Sequence, residues 1–397
     1  MRAVSMLLRC AALVLTVLPL PVVALGGDGF NLELLEDPQA VCLDGTQGGY
    51  YLREGSPDIW LIEMEGGGWC TNLQDCASRA KTDIGSNKKW PPSGCPGMDG
   101  GSNGMLSNDC AVNPHFCNAT AVHANYCDGA SFSSASPDTP VVNGVTLHFA
   151  GAHIFNATIA RLLALGMGAA QESILKGCSA GGLAVYLHCD LFADMMREAG
   201  SAARVTCMPD AGYFRYGVNT TAGQPLYTPQ EEWVYYAQGV VQMDKGCVAA
   251  HAATNDTWQC FFAENNLPYI TTPLFVTQDL VDSWQMANVL ALGCNPNAAA
   301  GAPSACSAAQ LADMQAFRQD MLDKFAPLVA NPANGGFLSA CYQHCHQNIG
   351  PVVSGRGCSS LFFSTLFPSG ALCLLVTPPH SSSPPPPPAA AVGPGDC

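Results

Sequence analysis

The residues of this chain with the most specific chemistry are the six at positions 177–182, GCSAGG. They follow a short apolar run at 173–176 and precede a helical pattern over 183–199. A glycine-flanked serine between a strand and a helix is typical of a nucleophile elbow, whose sharp turn holds the hydroxyl out at the edge of a sheet. The helix N-terminus also offers unpaired N–H groups to a developing anion. We therefore predict that Ser179 is a catalytic nucleophile, in preference to part of a packing turn.

A serine nucleophile needs a base within hydrogen-bond reach and an acid that orients the base. In α/β-hydrolase sheets the acid and then the histidine follow the serine along the chain. His344 and His346 lie on one cysteine-flanked loop, and in an extended loop only one of them can face the serine. Asp282 and Asp210 each follow a predicted strand, and position along the chain favours Asp282.

A second glycine-rich turn, EGGGW at 65–69, follows the predicted strand 58–64. An oxyanion hole needs two or three backbone N–H groups aimed at one point, and glycines let the backbone approach a substrate closely. The turn resembles the donor turn of lipases and esterases. We predict that the amides of Gly68, Trp69 and Ala180 form the hole, and the alternative is a simple tight turn.

The histidines near Cys341 and Cys345, and His188, could have roles other than that of the catalytic base. Cys341 and Cys345, with the histidines beside them, could bind zinc. No second matched Cys/His pair stands nearby, and exported thiols are usually oxidised, so we expect no metal. The sequence also lacks a P-loop, a dinucleotide fingerprint and an EF-hand pattern, and we expect no cofactor. His188 lies in the helix after the elbow, and we interpret it as structural.

The composition restricts the partners and the compartment. A formal net charge of −15 argues against nucleic acid, which is bound through clustered Lys and Arg. Twenty cysteines indicate either metal clusters or an oxidising compartment. Residues 1–25 favour the second, because Arg2 and Arg9 are followed by an apolar run and small residues, as in a secretory signal peptide. That run is short and contains prolines, so we expect no membrane anchor.

Other features agree with export. Loss of Cys10 with the signal peptide leaves an odd number of cysteines, which predicts a free thiol or an intermolecular bridge. Residues 71–114 are rich in Gly, Ser, Asn, Pro and Cys, which predicts loops stapled by disulfides. Four sequons for N-glycosylation also fit a secreted chain: Asn118, Asn156, Asn219 and Asn255.

Strand and helix patterns alternate along the chain. Besides the run before the elbow, apolar runs predict strands at 58–64, 122–126, 145–149, 204–208 and 273–277. Helical periodicity predicts helices at 154–165 and 183–199. This alternation indicates an α/β fold with a mainly parallel, doubly wound sheet.

Seven short segments in a fixed order resemble those of the plant pectin acetylesterases, a family related to the Notum carboxylesterases. They are residues 40–45, 65–70, 126–132, 177–190, 210–214, 282–285 and 341–345. The resemblance implies an α/β-hydrolase-like fold with helices on both faces of the sheet. It also implies a triad of Ser179, Asp282 and His344, and so selects Asp282 over Asp210.

The resemblance further implies a secreted, cell-wall serine carboxylesterase that hydrolyses acetyl esters of pectin through an acetyl-enzyme. We expect a monomer whose partner is acetylated polysaccharide. Two alternatives stay open: a Notum-like deacylase of longer acyl esters, and a non-catalytic glycan-binding wall protein.

The predicted organisation is a signal peptide at 1–25, a catalytic domain at 26–347 and a tail at 348–397. The tail departs from the family pattern. Its apolar stretch at 361–376 is interrupted by proline and glycine, and five prolines occupy 384–388. We expect polyproline II or disorder there.

Overall fold

The computed structural model describes residues 29–94, 104–299 and 301–345, together with the backbone of 372–374. Its strands are β1 (Asn31–Leu34), β2 (Gly49–Arg53), β3 (Ser56–Met64), β4 (Ala119–Ala124), β5 (Val141–Val142), β6 (Val145–Thr146), β7 (Glu172–Cys178), β8 (Arg204–Asp210), β9 (Phe275–Asp279), β10 (Gly335–Ser339) and β11 (Leu372–Leu374). Its α-helices are α1 (Leu73–Arg79), α2 (Gly151–Ala164), α3 (Ala180–Glu198), α4 (Tyr227–Ala237), α5 (Lys245–His251), α6 (Ala263–Asn266), α7 (Ser283–Asn288), α8 (Ala308–Lys324) and α9 (Ala326–Ala330).

Nine strands of the described chain form one sheet in the order β1-β2-β4-β3-β7-β8-β9-β10-β11. β2 runs antiparallel to both of its neighbours. Every pairing from β4 to β11 is parallel, and β5 and β6 form a separate hairpin. The predicted mainly parallel sheet is therefore confirmed.

The direction of the chain across the sheet changes at β3. The chain passes from β3 to β4 on one side, and then to β7 and β8 on the other side. Because parallel crossovers are right-handed, the connections on the two sides cover opposite faces of the sheet. The reversal makes the carboxyl ends of β3 and β7 a topological switch point, which is where open α/β sheets bind ligands.

The central strands are buried almost throughout, which is typical of parallel strands because both faces of the sheet are covered. All six residues of β4 are buried, and so are the last six of β7. One ionic cluster crosses this core: Lys176 Nζ lies 2.5 Å from Glu63 Oε1, and His123 Nδ1 lies 3.1 Å from Glu63 Oε2. Burial alone would raise the pKa of Glu63, but Lys176 and His123 hold it well below its usual value.

Several predicted elements lie where the sequence places them, with shifted ends. β4 begins three residues before the predicted strand 122–126, and α2 begins three residues before the predicted helix 154–165. The predicted strand at 145–149 is wrong beyond Thr146. The backbone N–H of Leu147 donates to Pro140 O, and that of His148 donates to Leu43 O, so this segment leaves the hairpin for other partners.

Disulfides hold the loops together. Every cysteine within 29–94, 104–299 and 301–345 is disulfide-bonded, Cys341 included. The pairs with both members in these ranges are Cys42–Cys127, Cys70–Cys76, Cys110–Cys117, Cys178–Cys345, Cys189–Cys207, Cys247–Cys260 and Cys294–Cys306. The segment 71–114 is stapled by two of these bonds, and the predicted odd cysteine lies outside the described residues.

Two predicted segments are mostly beyond the described chain. The signal peptide at 1–25 lies outside it, and so does the tail at 348–397 except for β11. The sequence predicted no strand there, yet the backbone of β11 pairs with β10. Each helix in the described part is too short or too polar to cross a membrane.

Candidate active site

Three predicted site residues follow the carboxyl ends of neighbouring parallel strands. Ser179 directly follows β7, Asp282 comes three residues after β9, and His344 comes five residues after β10. β7, β8, β9 and β10 are consecutive in the sheet. Because parallel strands end at one edge, residues far apart in sequence meet at this edge.

Ser179 occupies a strained turn between β7 and α3. Its backbone angles are φ 61° and ψ −127°, outside the regions that L-residues prefer. Small neighbours permit the turn, because a methyl group on Gly177 would lie 2.8 Å from Met64 O. Ser179 is partly exposed between the buried residues Cys178 and Ala180. The turn therefore presents the hydroxyl side chain, as a nucleophile elbow requires.

Asp282 and His344 form a hydrogen-bonded pair. His344 Nδ1 lies 2.7 Å from Asp282 Oδ2, and the Asp282 side chain is fully buried. Asp282 also caps α7, because its Oδ1 accepts from the backbone N–H of Gln285 at 2.9 Å. The buried carboxylate therefore has a fixed orientation and in turn fixes the imidazole.

The electrostatics of the pair favour a charged imidazole. Burial lowers the pKa of His344, but the charge and hydrogen bond of Asp282 outweigh it, with smaller contributions from Asp210 and Asp279. The pKa of His344 is consequently raised above its usual value of 6.5. Such a base becomes a better proton acceptor, and the imidazolium that it forms is stabilised.

The second ring nitrogen of His344 remains available. Nε2 is buried and makes no hydrogen bond within the described chain. Ser179 and His344 do not hydrogen-bond to each other in this structure, and such catalytic contacts often tighten only when substrate binds. A disulfide between Cys178 and Cys345, with Cα atoms 5.8 Å apart, joins the neighbours of these two residues.

The zinc alternative loses its ligands in this arrangement. Cys178, His344 and Cys345 bring potential ligand atoms within 4.8 Å of one another. Both cysteines, and Cys341 as well, are disulfide-bonded, so no thiolate remains on this loop to bind a metal.

The glycine turn after β3 packs against the elbow. A methyl group on Gly66 would lie 3.0 Å from Ser179 Cβ and would collide with Cys178 O. Gly68 has a φ of 67°, which glycine adopts without strain. The amides of Gly68, Trp69 and Ala180 donate to no acceptor in the described part of the chain.

Two side chains that the sequence analysis did not single out orient these amides. Arg79 Nη2 donates to Gly67 O at 2.8 Å, and Tyr126 OH donates to Gly68 O at 2.7 Å. In a trans peptide the N–H points opposite to the C=O. The N–H groups of Gly68 and Trp69 therefore point away from Arg79 and Tyr126 respectively. Burial raises the pKa of Tyr126 well above its usual value, so its hydroxyl remains a donor.

Aromatic side chains surround the imidazole, and the sequence analysis gave these side chains no role. The ring of Trp284 stacks beside His344 at 6.3 Å between centroids, and that of Phe214 lies at 6.2 Å. Trp69 contacts both, at 5.7 Å from Trp284 and 4.9 Å from Phe214. Tyr227 closes the cluster at 5.8 Å from Phe214. The four rings come from four separate segments, so their meeting beside His344 was not visible in sequence.

The other candidate residues have different positions. The carboxylate that hydrogen-bonds His344 is that of Asp282, while the backbone carbonyl of Asp210 accepts from the N–H of Ser179 at 3.0 Å. His188 is buried beside Phe155, its Nε2 lies 3.2 Å from Ser133 Oγ, and burial lowers its pKa to about 4. A neutral, stacked histidine agrees with the structural interpretation. His346 lies outside the described residues.

Comparison with known proteins gives relatives over most of the chain. Pectin acetylesterase 11 of Arabidopsis thaliana is 36% identical over 354 residues, which cover 86% of each chain. Pectin acetylesterase 7 of the same plant is 35% identical over 329 residues, 80% of this chain and 79% of that one. The palmitoleoyl-protein carboxylesterase notum1 of Xenopus laevis is 32% identical over 65% of this chain and 53% of its own.

The fold has a counterpart among solved structures. The Wnt deacylase Notum from Drosophila superposes with a TM-score of 0.68 over 80% of this chain and 86% of that one, at 24% identity. This likeness confirms the α/β-hydrolase-like fold class. Residues 27–353 match the sequence profile of the family described as Pectinacetylesterase. By this match and by its identity to the plant enzymes, the chain belongs to the pectinacetylesterase family.

Proposed function

We propose that this chain is a secreted serine carboxylesterase that hydrolyses acetyl esters of pectin. The single observation that carries the mechanism is the Asp282–His344 hydrogen bond of 2.7 Å, on a loop tied by disulfide to the residue before Ser179. Family membership supports the reaction class, and the pectin acetylesterases among the relatives support the substrate.

Acylation begins with Ser179. His344 Nε2 takes the proton of Ser179 Oγ as this oxygen attacks the acetyl carbonyl carbon. Asp282 holds Nδ1–H and stabilises the imidazolium. The carbonyl oxygen, now negative, is bound by the amides of Gly68, Trp69 and Ala180. His344 then returns the proton to the sugar oxygen, which leaves as a hydroxyl, and an acetyl-Ser179 ester remains.

Deacylation repeats these steps with water. His344 Nε2 takes a proton from a water molecule, whose oxygen attacks the acetyl carbon. The same three amides bind the second oxyanion. Proton return to Ser179 Oγ releases acetate and restores the enzyme. Apart from the attacking water, every catalytic group in this scheme belongs to the chain itself.

The aromatic cluster supports a short acyl group. Trp284, Phe214 and Trp69 pack against one another next to His344, so the space beside the imidazole is filled by side chains. A long fatty acyl chain needs a deep apolar pocket, whereas an acetyl group does not. The relatives named palmitoleoyl-protein carboxylesterases align with a smaller share of this chain than the plant enzymes do.

Export is part of the proposal. The sequence of residues 1–25 has the signal-peptide pattern. The disulfide bonding of every cysteine in the ranges 29–94, 104–299 and 301–345 fits an oxidising compartment such as the cell wall. The four sequon asparagines are all at least partly exposed, as glycosylation requires. We expect the mature protein to act as a monomer.

The test is acetate release from acetylated pectin and from p-nitrophenyl acetate by wild type and Ser179→Ala. Ser179→Ala should abolish release from both substrates while thermal unfolding stays cooperative near the wild-type temperature. Wild-type turnover in a folded Ser179→Ala protein would contradict the mechanism. If the wild type hydrolysed p-nitrophenyl acetate but not acetylated pectin, pectin would not be the substrate.

A further inference from the structure

The outstanding charged feature away from the triad is a cavity of about 480 Å³ lined by Lys81, Lys88 and Lys89. Its volume falls within the range of roughly 300–1,000 Å³ that is typical of ligand sites. The full chain has only 16 Lys and Arg against 31 Asp and Glu, and three of its six lysines face this one cavity. The wall also carries the hydroxyl side chains of Thr82 and Ser86.

The charge of this cavity is not neutralised from within. Asp44 is the one acidic residue of the wall, and its Oδ2 lies 2.9 Å from Lys88 Nζ. Lys81 and Lys89 are exposed, and neither forms an ion pair with another described residue. Two positive charges are therefore available to an anion in a molecule whose overall charge is −15.

The segments that line the cavity belong to the same edge of the sheet as Ser179. Its walls come from the loop before β2, the segment after α1 and the β5–β6 hairpin, all of which lie at the carboxyl ends of β3 and β4. In the sheet, β4 is two strands from β7 and β2 is three strands from it, so at about 4.8 Å per strand these strand ends lie roughly 10 to 14 Å from the end of β7. Lys81 is two residues from Arg79, which holds the oxyanion turn.

We propose that Lys81 and Lys89 form a subsite for the carboxylate groups of galacturonate residues that flank the acetylated sugar. This inference rests on the proposed function and extends it, because it assigns the enzyme a preference for unesterified, anionic stretches of acetylated galacturonan. Free carboxylates bind lysine ammonium groups through charge-assisted hydrogen bonds, whereas methyl-esterified ones carry no charge to bind.

The first test measures binding in protein that cannot turn over. In a Ser179→Ala background, affinity for unacetylated oligogalacturonate is compared with and without Lys81→Ala/Lys89→Ala. We expect about tenfold weaker binding in the lysine variant at low salt, since each exposed charge contributes modestly, and no difference at 0.5 M NaCl because screening is then strong. The methyl-esterified oligomer should bind weakly to both proteins.

The matched control removes two cations elsewhere. Arg197 and Lys245 are similarly exposed, and both pair with Asp194 towards the far end of α3. Arg197→Ala/Lys245→Ala should leave the affinity unchanged. If Lys81→Ala/Lys89→Ala bound the oligomer as tightly as the Ser179→Ala protein alone, the subsite would be overturned. The same holds if the control variant lost as much affinity as the lysine variant.

The second test separates the subsite from the chemistry. Lys81→Ala/Lys89→Ala should lower kcat/KM about tenfold on acetylated, unmethylated galacturonan, through KM, and leave p-nitrophenyl acetate hydrolysis unchanged. A parallel loss on the small ester would overturn the proposal. If the proposed function is wrong, the wild type will release no acetate from acetylated galacturonan. The oligomer-binding measurement would still test the subsite in that case.

Discussion

Cys178 and Cys345 are joined by a disulfide, so the residue before the elbow serine is covalently attached to the residue after His344. The two cysteines are 167 positions apart in sequence. The bond therefore ties the carboxyl end of β7 to the loop that follows β10, where the proposed nucleophile and base must meet. In a loop that has no regular secondary structure, it supplies the rigidity that a strand or helix would otherwise provide.

Removal of this disulfide should damage catalysis. In Cys178→Ala/Cys345→Ala we expect kcat on p-nitrophenyl acetate to fall by about 10²-fold, because small misplacements of a catalytic group have effects of that order. Cys110→Ala/Cys117→Ala removes a disulfide that closes a short loop elsewhere and should keep near wild-type kcat. Both variants are to be compared well below their unfolding temperatures. Equal kcat values in the two variants would contradict the positioning role.

The pH dependence should report the His344–Asp282 pair. Only neutral imidazole accepts the serine proton, so activity should be lost as pH falls through the His344 pKa, which lies above 6.5. In Asp282→Asn the charge that raises this pKa is gone and burial lowers it, so the acidic limb should move to lower pH. The rate itself should fall by about 10³- to 10⁴-fold. The check is kcat/KM measured against pH for both proteins. An acidic limb at the same pH in Asp282→Asn and wild type would contradict the pairing of Asp282 with His344.

Tyr126 should act through the oxyanion turn. Tyr126→Phe removes the donor to Gly68 O, so the Trp69 N–H loses part of its orientation and kcat should fall about tenfold with little change in KM. Tyr186→Phe is the matched control, because the Tyr186 hydroxyl is also buried but makes no hydrogen bond in the described chain. Similar kinetics for the two variants would show that Tyr126 does not position the turn.

Trp284 should limit the length of the acyl group. Trp284→Ala opens space beside His344, and we expect the ratio of kcat/KM for octanoyl over acetyl p-nitrophenyl esters to rise by at least about tenfold, since two buried methylenes contribute that much or more. Trp258→Ala removes a tryptophan that packs on Tyr216 and Phe262 instead, and should leave the ratio unchanged. An unchanged ratio in Trp284→Ala would contradict the role of the cluster.

Local sequence patterns predicted the elements that are continuous and strongly apolar. The strand before Ser179 and the helix after it follow from a buried run, small residues and helical periodicity, all within 30 residues. β10 was missed, because two of its five residues are glycines and its burial comes from neighbouring strands. The predicted strand at 145–149 was too long, because the backbone partner of His148 is Leu43, which is distant in sequence.

The candidate site shows the same division between local and long-range information. The order of serine, acid and histidine favoured Asp282 over Asp210 and left His344 and His346 as alternative bases, because the fold class orders strand ends only coarsely. The family resemblance selected His344. The roles of Arg79 and Tyr126 depend on where two carbonyls of the glycine turn point, which no spacing encodes. Disulfide partners such as Cys178 and Cys345 are equally invisible, since many pairings satisfy the same count of cysteines.

The most direct measurement of the central claim is the site of covalent labelling by a fluorophosphonate, mapped by peptide mass spectrometry on the secreted protein. We predict a single adduct on Ser179, formed at a rate that falls sharply in His344→Ala. An actively hydrolysing protein that is labelled at another residue, or not labelled at all, would contradict the account.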